Sequence, residues 1–233
     1  MRKLAIMQPY FFPYLGYWQL IKSVDKFVIF DDVNYIMRGW VNRNQILVDG
    51  HAHQITMPLQ QASQNRLISE IMVDPSSGWR TKLLKTIQQN YQKSQHFSEV
   101  FEVLERLILL KTPSLSVLLG QQLQTLSKLM GIGTTFITSS SYQNSALSGT
   151  QRIIDICRRE GTLIYINAPG GRHLYKQDEF SASGIELRFL SVRPISYPQK
   201  AANFLPNLSI IDMLMSIGFT GAADYLDQYD LES

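Results

Sequence analysis

The 233-residue chain has a single cysteine, Cys157, which excludes an intrachain disulfide. With four histidines beside it, the chain shows no Cys/His zinc spacing, and no metal or cofactor is expected. Long apolar runs are missing as well. Arg2 and Lys3 precede only a short apolar stretch, interrupted by Gln8 and Pro9, so no signal peptide is expected. No segment approaches the roughly 20 apolar residues of a membrane span. An excess of one charge is absent: 22 Lys and Arg stand against 19 Asp and Glu, a net +3. Without a basic run, that balance predicts no nucleic-acid partner. There is no P-loop, dinucleotide fingerprint or G-x-S-x-G elbow. Internal repeats, low-complexity tracts and an obvious linker are also lacking. The expectation is a cytoplasmic protein acting on a small molecule.

What is present is an α/β pattern. Residues 3–7 (KLAIM) and 27–30 (FVIF) read as short buried strands, and Tyr17–Val24 between them spans two turns of helix. This Rossmann-like βαβ start predicts a parallel or mixed sheet, whose ligands collect at the carboxyl ends of its strands. Residues 33–59 read as extended, with Asp49-Gly50 as the turn of a β-hairpin insertion. Residues 79–131 have helical periodicity and form a helical subdomain, with Pro113 in the first turn of its third helix. The α/β core then comprises residues 1–78 and 132–233. Its second part predicts a strand at TTFITSS, an amphipathic helix closing on Gly161, strands at TLIYINA and IELRFL, a helix at NLSIIDMLMSIG and a short C-terminal helix.

Several groups of residues carry candidate chemistry. The stretch QPYFFPYLGYW (8–18) is uncharged and dense in aromatics. Most of Phe11, Phe12, Tyr14, Tyr17 and Trp18 are expected in the core. Gln8, at a strand end, is a candidate ligand contact, and Pro9 and Pro13 suit a stiff exposed rim. The layout resembles the start of the nucleotidyltransferases with a His-x-Gly-His signature, but Tyr14-Leu15-Gly16-Tyr17 stands where both histidines would be. Asp31 and Asp32 end the second strand. Either can accept a proton from an attacking amine or hydroxyl, or cap a turn. In MRGWVNRNQ, strand alternation puts Trp40, Asn42 and Asn44 on one face, and Arg38 and Arg43 can bind a carboxylate or phosphate. In APGGRHLY, Gly170 and Gly171 allow backbone amides to converge on an anion, beside Arg172 and His173. His51, His53 and His96 are expected in solvent. Ser209 and Asp212 have capping-box spacing at a helix start, which can also face a ligand anion. Cys157 shares an apolar helix face with Ile153 and Ile154 and reads as a buried structural thiol.

In order, QPYFFPYLGYWQLI, VDKFVIFDDVNY, RGWVNRNQI, APGGRHLY, YPQ and LSIIDMLMSIG resemble the WbqC-like family over nearly the whole chain. The matching positions are Gln8, Pro9, Pro13, Gly16, Asp31, Asn42, Arg43, Gly170, Tyr197, Gln199, Ser209 and Asp212. The resemblance implies a role in bacterial surface polysaccharide and amino-sugar pathways, O-antigen included. It implies transfer of an acyl or aminoacyl group to a sugar amine, with a nucleotide-sugar or acyl donor as substrate and a carrier protein as a donor's bearer. Asp31 or His173 would deprotonate the amine. Asn42, Arg43, Gly170, Gly171 and Arg172 would hold a phosphate or carboxylate, and Gln8, Tyr14, Tyr197, Gln199, Ser209 and Asp212 would line the substrate site. Two alternatives stay open: a non-catalytic module binding the same ligands, and a diverged nucleotidyltransferase.

Overall fold

The structure, a computed structural model, describes residues 2–233. It opens with β1 (Lys3–Met7), α1 (Leu15–Lys22) and β2 (Lys26–Ile29), the expected βαβ start. A hairpin of β3 (Arg43–Val48) and β4 (His51–Thr56) follows, then the two-residue strands β5 (Leu59–Gln60) and β6 (Met72–Val73). Three helices come next: α2 (Trp79–Tyr91), α3 (Phe97–Ile108) and α4 (Leu115–Leu129). The α/β pattern resumes with β7 (Thr135–Thr138), α5 (Gly149–Arg159), β8 (Ile164–Asn167), α6 (Gln177–Ser181) and β9 (Glu186–Val192). The chain closes with α7 (Ile210–Ala223) and β10 (Tyr229–Glu232).

Six strands form one sheet in the order β10-β9-β8-β1-β2-β7. All neighbours pair in parallel except β9 and β10. Strand side chains alternate between two cores. Ala5, Phe27, Ile29, Ile166 and Leu190 pack into the core shared with α1–α4 and α7. Leu4, Ile6, Val28, Tyr165, Leu187 and Phe189 pack against Ile153, Ile156, Cys157 and Phe180 of α5 and α6. Burial on both faces explains why β1, β2 and β8 read as unbroken apolar runs rather than as alternation. Each Val, Leu, Ile or Phe among them stabilises the fold by about 1.5–3 kcal/mol relative to exposure.

The strand order reverses beside β1. The chain steps outward from β1 to β2 and β7, then returns to place β8 on the other side of β1. Loops leaving β1 and β8 therefore diverge, and such a reversal opens a crevice at the carboxyl edge of the sheet. The loop beginning at Gln8 leaves β1 there, and the one beginning at Ala168 leaves β8.

Four expectations are corrected. Residues 33–42 form bends and turns rather than extended chain, with Arg38 at φ 60°. Alternation therefore does not sort Trp40, Asn42 and Asn44 onto one face. Trp40 is exposed, Asn42 partly buried and Asn44 buried. Pro113 precedes the third helix of the trio instead of entering it; Ser114 is the cap, its Oγ accepting from the Val117 amide. The chain ends in the edge strand β10, not in a helix. His96 is partly buried rather than in solvent, because it packs on a break in α7.

That break is at Gly218, with φ 73° and ψ −180° inside the helix. This backbone region is almost confined to glycine. A Cβ at Gly218 would also lie 2.6 Å from His96 Nδ1. Gly218→Ala is expected to cost about 1–3 kcal/mol by urea unfolding, and His96→Ala to recover only the steric part.

Candidate functional site

The loop between β1 and α1 is buried, so its carbonyl groups need partners within the protein. Gln8 O accepts from the Tyr17 hydroxyl at 2.7 Å. Asn44 Nδ2 donates to Phe11 O at 3.0 Å and Phe12 O at 2.8 Å, and Ser209 Oγ donates to Phe12 O at 2.7 Å. Pro13 O accepts from Trp18 Nε1 at 2.9 Å and from the Ile210 amide at 3.0 Å. Phe11, Phe12, Tyr17 and Trp18 are sealed in the core, and Pro9 and Pro13 are buried with them instead of forming an exposed rim. Of the six aromatics in residues 8–18, only Tyr10 and Tyr14 are partly exposed.

These two open onto a crevice. Tyr14 and Asn207 line two neighbouring cavities. One, of about 310 Å3, adds Gly16, Arg193, Tyr197 and Phe204. The other, of about 290 Å3, adds Tyr10, Trp40 and Asn44. Gly16 makes the first possible, since a Cβ there would stand 2.6 Å from Tyr14 Cε2 and 2.8 Å from Val192 Cγ2. Arg193 reaches the wall from the end of β9, its Nε hydrogen-bonded to both oxygens of Asp230 at 3.1 and 3.0 Å.

Behind Tyr197 lies a buried carboxylate held by three side chains. Asp212, in the first turn of α7, accepts from the Tyr91 hydroxyl at 2.9 Å, the Tyr197 hydroxyl at 2.8 Å and Gln199 Nε2 at 3.0 Å. Burial raises its carboxyl pKa, with the three hydrogen bonds pulling the other way. Burial, then the neighbouring Asp212 charge, holds the Tyr91 and Tyr197 phenols well above their usual range. The Tyr91 oxygen in turn accepts the Leu47 amide at 2.9 Å, and Gln199 clamps residue 205 through both its amide atoms. The capping box is thus only half formed. Ser209 caps α7, accepting from the Ile211 amide at 3.3 Å, but Asp212 turns to the tyrosines instead of reaching back.

Tyr14, Tyr197, Gln199 and Asp212 are therefore brought together, and Tyr91 joins them unannounced. It is 121 residues from Asp212 and reads in sequence as one more apolar position of a helix. Other expected contacts are spent on structure. Ser209 is fully buried, and its helix start is covered by the opening loop, so it is closed to a ligand. Asn42 accepts from the Tyr35 hydroxyl at 2.7 Å and donates to Met57 O at 2.8 Å. Arg43 donates to Gly39 O at 2.9 Å with its guanidinium 5.8 Å from the Trp40 ring centre. Gln8 is partly buried at the strand reversal.

Asp31 and Asp32 are both tied to the turn after β7. Asp31 accepts from Ser139 Oγ, the Ser140 amide and Ser140 Oγ at 3.1–3.2 Å. Asp32 accepts from Ser139 and from the buried Arg152, a residue of α5 that the sequence reading passes over. The glycine turn is a short 3-10 helix, Pro169–Leu174. The Gly171 amide is spent on Ala168 O at 3.0 Å, and Arg172 pairs with Glu232. His173 is exposed. Among the described residues, no hydrogen bond or ion pair joins His173 or Asp31 to the Asp212 group. Cys157 is buried and its thiol is pushed up to about 12, as a structural thiol should be. Among the described residues, no helix is long and apolar enough to cross a membrane.

Similarity to known proteins agrees with the motifs quoted from the sequence. The WbqC-like protein family matches residues 8–223. An uncharacterized protein of Mycobacterium tuberculosis (strain ATCC 25618 / H37Rv) is 30% identical over 229 residues, which cover 97% of this chain and 98% of that protein. No solved structure matches. The matched span runs from Gln8 at the sheet's carboxyl edge to the end of α7, and so takes in the crevice and the Asp212 group: the chain belongs to the WbqC-like protein family.

Proposed function

We propose that this protein is a transferase of bacterial surface polysaccharide biosynthesis, forming an amide on the amine of an amino-sugar nucleotide. The sugar ring occupies the Tyr14 crevice, and Asp212 accepts the proton through Tyr197. The observation that carries this reading is that Tyr197 lines the crevice while its hydroxyl donates to Asp212. On this reading Tyr197, whose oxygen also accepts from Gln199 Nε2 at 3.0 Å, relays the proton from the crevice to a buried carboxylate made more basic by its burial. Tyr10, Tyr14 and Trp40 offer ring faces for the C–H face of a sugar, and Asn207 offers an amide for its hydroxyls. Arg193 supports a phosphate by exchanging Asp230 for it. In the reaction the amine nitrogen bonds to the acyl carbon, and the bond from that carbon to the donor's leaving group breaks with its electron pair. The amine proton passes to the Tyr197 oxygen as the Tyr197 proton moves to Asp212. Among the described residues, Asp31 and His173, the bases expected from sequence, have no hydrogen bond to Tyr197 or Asp212.

The test is to incubate the purified protein with an amino-sugar nucleotide and acyl or aminoacyl donors and follow amide formation by mass spectrometry. Trp40 is 44% exposed, so Trp40→Ala removes a stacking face without disturbing the core. Its sugar-nucleotide affinity is expected to fall by up to about tenfold at unchanged Tm. Unchanged affinity would remove the crevice as the sugar site. A second reading, a binding module without chemistry, is favoured by one observation: among the described residues, neither crevice cavity has an Asp, Glu, His, Lys, Cys or Ser in its wall. Tight sugar-nucleotide binding with no product from any donor would select it.

A further inference from the structure

We infer that the cavity on the far side of Asp212 is a second binding site, for a phosphate or carboxylate group held by Lys93 and Lys200. The cavity has a volume of about 380 Å3 and shares no lining residue with the crevice. Its walls are the β3–β4 turn, the residues just beyond α2 and the segment 198–200, with Tyr91 and Asp212 lining it as well. The segment 197–199 therefore separates two cavities, with Asp212 lining this one and hydrogen-bonded to Tyr197 of the crevice.

The lining sets the ligand class. Lys93 and Lys200 come from two different segments of the wall, and Lys200 Nζ lies 3.4 Å from Ser94 Oγ, next to Lys93 in the chain. Neither lysine has an ion-pair partner among the described residues. Two acidic groups share the wall. Asp49 is exposed on the hairpin turn, and Asp212 already accepts three hydrogen bonds. The donors on the wall are thus the two ammonium groups and the amide nitrogens of Gln89 and Gln95, while the Ser94 hydroxyl already accepts from Lys200. A single oxyanion bridging the lysines uses them, and the remaining volume accommodates the group it is attached to. On the transferase reading this oxyanion belongs to the acyl donor, which would then meet the sugar amine at a shared carboxylate. That attribution rests on the proposed function; the binding site does not.

The probes are pyrophosphate and succinate, titrated separately by calorimetry into the full chain with no sugar present. Saturable binding of either is expected, with affinity at least about tenfold weaker in the Lys93→Ala/Lys200→Ala double variant. Lys128→Ala, an exposed lysine on α4, is expected to bind as the parent does. All three lysines are exposed, so unchanged Tm values confirm that folding is not being measured. The inference is overturned if neither probe binds saturably, or if the double variant binds as well as the parent. The sugar-nucleotide affinity of Trp40→Ala is read in a separate titration, so failure of the sugar site and failure of the oxyanion site are distinguished.

Discussion

On the transferase reading, Asp212→Asn is expected to slow amide formation by about 10²–10⁴-fold, the usual contribution of a positioned general base. The loss should fall on kcat. On the same reading sugar-nucleotide KM should change little, since Asp212 would meet that substrate only through Tyr197. Asparagine keeps the shape of the carboxylate and can still accept from Tyr197, but it cannot take up a proton. Its amide nitrogen must also face one of the three donors now aimed at Asp212, which costs about 1–3 kcal/mol for an unsatisfied buried group. Tyr91→Phe separates the two effects. It removes a hydrogen bond to Asp212 and the anchor of the Leu47 amide, yet leaves the path from crevice to carboxylate intact. It should therefore lower stability with a far smaller loss of kcat. An Asn variant that turns over like the parent would return the search for a base to Asp31 and His173.

The same substitution has a pH signature. The Asp212 carboxyl is raised above its ordinary 3.8 in the folded protein. The fold therefore binds this proton more tightly than the unfolded chain does. The stability this gives is fully present below 3.8 and is lost as pH rises through the raised value. On acidification from about pH 7 towards pH 4, the parent should gain stability relative to Asp212→Asn. A Tm difference that stays flat over that range would contradict the burial argument.

Arg152→Ala is expected to lower stability by about 3–5 kcal/mol in urea unfolding, the cost of leaving a buried charge without its partner. The Arg152 and Asp32 side chains are 6% and 11% exposed. The guanidinium also donates to Asp32 O at 3.3 Å and Asn144 Oδ1 at 3.0 Å, and lies 5.1 Å from the centre of the Phe30 ring. One side chain thus joins the end of β2 to α5 and the turn after β7. Removing it strands the Asp32 carboxylate, so Asp32→Asn in the Ala background should recover part of the loss. Arg152→Lys should recover less than the charge alone suggests, because an ammonium cannot reproduce the fork or the contact with Phe30. No recovery in the double variant would show that the loss comes from packing rather than from the unpaired charge.

Arg152 shows where a sequence reading stops. On an amphipathic helix an arginine is assigned to the solvated face, and nothing local distinguishes this one, which is buried because Asp32, just beyond β2, meets it. Tyr91 is the same case among aromatics. Conversely, Asn44 and Ser209 look like ligand contacts in sequence, yet both serve the carbonyls of the buried opening loop. That loop, between two apolar strands, could be placed from its composition. Which of its aromatics face outward could not, because that depends on the hairpin and α7 closing over it.

Local signals determined the elements of this protein: apolar runs for buried parallel strands, 3.6-residue periodicity for the helices, and Asp49-Gly50, both at positive φ, for the hairpin turn. They also determined its family, since the motifs lie in order along the chain. Tertiary structure alone decided which polar residues are free to act. A hydrogen bond between residues more than a hundred positions apart leaves no trace in spacing. The same Asp, Asn or Ser can hold a backbone or a ligand, depending only on what the fold brings against it.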